Sequence, residues 1–165
     1  MDASRILLGA LLSLMLGQAS AQGSSLSDPF QVRIGIVSTC TAIAADDIDF
    51  GNQTPGAGLT VSATGNLAVK CTNGQEYAIG LDQGQNFDES NSKRRMAGEG
   101  TFIPYVLSAD ASGSPDWGSD GDTRQSGIGT GIATARLHTV HAIATLSGDE
   151  PAGSYEDTVT ATLYF

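Results

Sequence analysis

Residues 154–165 read SYEDTVTATLYF. From Val159 the residues alternate: Val159, Ala161, Leu163 and Phe165 share one side, and Thr158, Thr160, Thr162 and Tyr164 share the other. A period of two with one apolar side predicts a β-strand. No polar tail follows it in the sequence, so the strand offers a bare apolar edge, the feature that soluble β-proteins usually blunt.

Working back from this stretch, β signals recur and no amphipathic helix is predicted. FQVRIGIV (30–37) places Phe30, Val32, Ile34 and Ile36 on one side and Gln31, Arg33 and Gly35 on the other. DDIDFG (46–51) reads as a short strand. LTVSATGNLAVKC (59–71) reads as one strand, or two with a bulge near Gly65. EYAIGLDQG (76–84), TFIPYVLSAD (101–110) and ARLHTVHAIATL (135–146) follow as strands, with Pro104 marking an edge or a bulge. QNFDESNSKRR (85–95) and ASGSPDWGSDGDTRQSGIGTG (111–131) read as loops. Strands separated by Gly, Pro, Asn and Asp turns predict an all-β sandwich.

At 165 residues the length suits one domain. Residues 1–21 are set apart. Arg5 precedes an apolar run from Ile6 to Leu16, and Ala19-Ser20-Ala21 gives a small-x-small cleavage pattern, which together predict a signal peptide cut after Ala21. The run is too short to span a bilayer. Export makes Cys40 and Cys71, the only two cysteines, candidates for a disulfide; two buried thiols are the alternative. A net charge of −10 argues against nucleic acid and anionic lipid as partners. The predicted division is signal peptide 1–21, leader and N-terminal strand 22–39, and sandwich 40–165.

Catalytic and metal-binding chemistry is not evident. His138 and His141 are three apart, which on a strand sends them to opposite sides. Asp116, Asp120 and Asp122 lack EF-hand spacing and a closing Glu, and Asx turns account for them. GIGTGIA (127–133) lacks the context of a dinucleotide loop. Lys93–Arg95, the one basic cluster, reads as a solvated loop or a contact between subunits. No catalytic set and no cofactor site are predicted, so the chain is not read as an enzyme.

An ordered set of short motifs spans nearly the whole chain after the leader: STC ending at Cys40, IDFG at 48–51, VKCTNGQEYAIGLDQG from Val69, RRM at 94–96, YVLSAD…WG from Tyr105 to Gly118, and PAGSYEDTVTATLYF at the end. In these the chain resembles the spore coat protein U domain of archaic (Csu-type) chaperone–usher pilins. The resemblance implies an immunoglobulin-like β-sandwich that is incomplete, its final strand supplied in trans. A periplasmic pilus chaperone would lend that strand first. At an outer-membrane usher the N-terminal strand of the next pilin subunit would replace it. Phe30, Val32, Ile34 and Ile36 would then be the donor row, and Val159, Ala161, Leu163 and Phe165 the wall of the acceptor groove. The resemblance also implies a Cys40–Cys71 disulfide, secretion through the periplasm, and a cell-surface pilus serving attachment and biofilm formation without membrane insertion. Tip adhesins of such systems carry a further N-terminal binding domain, so a shaft or minor subunit is the expected place. A monomeric secreted lectin or adhesin module, and a spore-coat structural protein, are the alternatives.

Overall fold

The computed structural model describes residues 23–165; the expected signal peptide, 1–21, lies outside the described residues. Two compact units divide between Gly35 and Ile36. In the first, residues 23–35 carry no helix or strand. Here the structure differs from the sequence reading. The alternating row Phe30, Val32, Ile34, Ile36 forms no strand, and these side chains are 77–88% exposed. A lone strand leaves its backbone groups unpaired and its apolar side chains in water. Alternation alone therefore does not hold one together.

The second unit is a two-layer β-sandwich. Its strands are β1 (Cys40–Ala45), β2 (Leu59–Cys71), β3 (Glu76–Leu81), β4 (Arg94–Gly98), β5 (Thr101–Ser108), β6 (Gln125–Ile128), β7 (Arg136–Leu146) and β8 (Ala161–Tyr164). A five-stranded sheet runs β1-β2-β7-β5-β4, and a three-stranded sheet runs β6-β3-β8. All pairs are antiparallel. The period of two sends Leu67, Val69 and Cys71 of β2 and Val140, Ala142, Ala144 and Leu146 of β7 inward, to meet Tyr77, Ile79 and Leu81 of β3. Trp117 fills the centre, and its indole N–H donates to the Ile79 carbonyl at 2.8 Å. Such a buried N–H would cost free energy if left without a partner.

The disulfide joins Cys40 to Cys71, which face each other in the β1–β2 register with Cα atoms 4.0 Å apart. β2 is one continuous strand: Gly65 pairs with Val140 in unbroken register, and no bulge interrupts it there. Residues 46–51 are not a strand, although Ile48 and Phe50 still pack on the core. Pro104 lies in β5, which is flanked by β4 and β7, so β5 is not an edge strand. The β5–β7 ladder starts one residue later, at Tyr105, and the missing N–H of Pro104 falls outside it.

Two segments read as loops hold strands. β6, Gln-Ser-Gly-Ile, has no apolar alternation; backbone pairing with β3 holds it there, with Gly127 against the Tyr77 ring. Arg94 opens β4 and is only 3% exposed, which corrects the reading of Lys93–Arg95 as a solvated loop. The Arg94 guanidinium donates to the carbonyls of Leu81, Asp82 and Trp117 and to Asp116 Oδ1, the last at 2.7 Å. With its donors met, the charge is tolerated inside.

Candidate strand-acceptor edge

β8 is shorter than the alternation from Val159 suggests, because the chain that leads into it belongs to the other sheet. Glu156 and Ala97 of β4 exchange backbone hydrogen bonds of 2.9 and 3.0 Å. Five residues later Ala161 pairs with Leu81 of β3. The chain thus crosses from the edge of the five-stranded sheet to the edge of the three-stranded one.

The crossing is held by two carboxylates. Asp157 Oδ1 accepts from the backbone N–H of Gln85 (2.9 Å) and Asn86 (3.2 Å) and from Asn86 Nδ2 (3.1 Å), and Oδ2 accepts from the Tyr105 hydroxyl at 2.6 Å. Burial, and then donation to Asp157, push the Tyr105 phenol well above its ordinary value. Asp82 Oδ1 accepts from the N–H of Thr160 (2.9 Å) and Gly84 (3.0 Å). Burial alone would raise the Asp82 carboxyl, but the hydrogen bonds from Thr160 and Gly84 outweigh it and hold it below the usual carboxylate range. Gly84 has φ +77°, and any Cβ there would strike the Asp157 carboxylate, so the position requires glycine on both counts.

The direction of each backbone group on β8 follows. The Asp82 N–H donates to the Thr160 carbonyl at 3.0 Å, so the polar groups of Thr160 point at β3. In an antiparallel ladder these directions alternate by residue. Thr160, Thr162 and Tyr164 therefore turn their N–H and C=O groups to β3, and Val159, Ala161, Leu163 and Phe165 turn theirs to the opposite edge. Among the described residues no strand pairs with that edge.

The same odd-numbered residues carry the apolar side chains. Val159, Ala161 and Leu163 pack against the core yet stay only half-buried, and Phe165 is 65% exposed. Their neighbours one strand in, Ile79 and Leu81, are 0% and 4% exposed. The core is closed over β3 and open over β8. One row of four residues thus presents unpaired backbone groups and incompletely covered apolar side chains together. Tyr164, on the outer side, lies under the Arg124 guanidinium, 3.6 Å from the ring centroid.

His138 and His141 do lie on opposite sides of β7. His138 Nε2 shares a 2.8 Å hydrogen bond with the Tyr77 hydroxyl across the sandwich, while His141 faces out beside Ser62 and Thr64. Burial, and then the Arg136 charge, lower the His138 pKa and favour the neutral ring. Among the described residues no group of three or more His, Cys, Asp or Glu side chains is placed to hold a metal ion.

Residues 26–162 match the Spore Coat Protein U domain. The chain belongs to that family. The fold resembles that of a solved neighbour, a chain in the crystal structure of the CsuC–CsuE chaperone–tip adhesion subunit pre-assembly complex from archaic chaperone–usher Csu pili of Acinetobacter baumannii. It superposes with a TM-score of 0.55 at 26% identity, over 79% of the present chain and 40% of that one. The present chain thus spans well under half the length of that neighbour. No curated protein sequence matches the chain. The all-β, immunoglobulin-like sandwich expected from the sequence is the architecture observed.

Proposed function

We propose that the protein is a structural subunit of a chaperone–usher pilus whose sandwich is completed by a strand from another molecule. One observation carries this reading: along β8 and the residues that flank it, the unpaired backbone groups and the incompletely covered apolar side chains belong to the same residues, Val159, Ala161, Leu163 and Phe165. A β-strand laid along that edge would satisfy both at once. The family and the chaperone–subunit complex among its structural neighbours support a periplasmic chaperone as the first donor. Residues 22–39 are the donor for the next subunit at an outer-membrane usher. Phe30, Val32, Ile34 and Ile36 form their apolar row, and their side chains are exposed. Head-to-tail strand addition of this kind does not close on itself and gives fibres, here serving surface attachment and biofilm formation.

The test is purification of the mature chain with and without the periplasmic chaperone of its own secretion system. A stoichiometric soluble complex is expected with the chaperone, and without it a chain that folds at low concentration but aggregates or is proteolysed over time. A free chain that takes up neither the chaperone nor a peptide of residues 28–38 would overturn the proposal.

A further inference from the structure

We propose that Asp157 is the positioning residue that sets the register of β8 on β3, and hence the position of the edge offered to an incoming strand. This rests on the acceptor reading above. The apolar pattern cannot set that register. A slip of one residue would turn every side chain of β8 over and is strongly opposed, but a slip of two keeps Val159, Ala161, Leu163 and Phe165 inward. No tight turn fixes the pairing either, because β3 ends at Leu81 and β8 begins at Ala161. Most bonds that hold the lead-in are blind to sequence. Asp82 and Ala97 bond to the backbone of Thr160 and Glu156, and any residue in those places would offer the same groups. Asp157 is different. Its side chain gathers four donors from Gln85, Asn86 and Tyr105, next to a glycine that leaves room for it. A two-residue slip moves a strand by roughly 6.6–6.8 Å. The three residues between Asp157 and Ala161 cannot absorb that movement while the carboxylate stays seated.

Two variants of the isotope-labelled mature chain test this by NMR, with a synthetic peptide of residues 28–38 as the incoming strand. Leu163 turns its polar groups away from β3, so its Hα closely faces that of Ile79, and an Ile79–Leu163 Hα contact reports the native register. In Asp157→Ala a second set of signals with Ile79–Ala161 or Ile79–Phe165 contacts is expected. Peptide affinity should fall about tenfold or more, as when one large side chain loses its pocket. The second variant inserts Thr-Val after Val159 and keeps Asp157 intact. If the carboxylate sets the register, Ile79 now contacts the residue that was Ala161. Retention of the Ile79–Leu163 contact in the insertion variant would overturn the proposal whether or not Asp157→Ala folds. The same contact as the sole register in a destabilised Asp157→Ala protein would also overturn it. Failure of the unaltered chain to bind the peptide would instead count against the acceptor reading, and the register result would stand apart from it.

Discussion

Ile34→Asp is the most informative single substitution. Ile34 lies in the middle of the exposed row and is 88% exposed, so the sandwich itself should not notice the change. Surface substitutions of this kind usually alter stability by less than about 0.5 kcal/mol. In the fibre the side chain would enter the next subunit's groove. The loss of an Ile burial costs roughly 1.5–3 kcal/mol, and an unpaired carboxylate in an apolar cleft adds on the order of several more. A total of ~5 kcal/mol corresponds to a few thousand-fold in occupancy of the groove. Arg33→Asp, on the other side of the row, should be much milder. The assay is electron microscopy of surface fibres together with pull-down of the chaperone complex. Ile34→Asp should abolish fibres and leave the complex intact, since the chaperone supplies its own strand. Normal fibres would refute the donor assignment. Loss of the chaperone complex would show that the segment belongs to the subunit's own fold, contrary to its exposure.

Replacing Cys40 and Cys71 by Ala should destabilise the domain by roughly 3–4 kcal/mol in chemical denaturation under oxidising conditions, the loop-entropy value for the 31-residue separation. Arg94→Ala should cost about 3 kcal/mol, because two buried carbonyls and a partly buried one lose their donor, and Arg94→Lys should recover little, as one ammonium cannot reach the same fork of acceptors. Stability should fall above about pH 10 as the unfolded chain releases the Tyr105 proton that the folded state retains, and Tyr105→Phe should flatten that limb of a denaturation series. At the acid end the depressed Asp82 carboxyl contributes stability above its unfolded value near 3.8, and that contribution is lost as pH falls through the lower folded value.

The parts of the fold that rest on side-chain periodicity were legible in the sequence. β2, β3, β5 and β7 alternate apolar and polar residues because one side of each lines the core, and that periodicity is local. The parts held by backbone pairing or buried polar bonds were not legible. Gln125–Ile128 pairs with β3 without an apolar stripe, and RRM at 94–96 looks solvated until three carbonyls from β3 and the Trp117 loop are brought to Arg94. Phe30–Ile36 failed in the opposite sense: its alternation is as clean as that of β7, but a strand also needs a partner, and none pairs with it among the described residues. Its pattern suits the groove proposed for it in another molecule. Asp157 and Asp82 carried no such periodic signal: one stands just before the run that begins at Val159, the other just after β3. Nothing local told that Gln85, Asn86 and Tyr105 would converge there.

The central claim is that β8 offers an unpaired edge to a strand from another molecule, and amide hydrogen exchange on the mature chain, before and after addition of the 28–38 peptide, tests it residue by residue. The N–H groups of Thr160, Thr162 and Tyr164 face β3 or Asp82 and should be protected in both states. Those of Val159, Ala161, Leu163 and Phe165 should exchange rapidly in the free protein and become protected with the peptide, giving an alternating pattern of gain along one strand. Uniform protection of all seven amides before the peptide is added, or no gain at the four odd-numbered positions after it, would contradict the account.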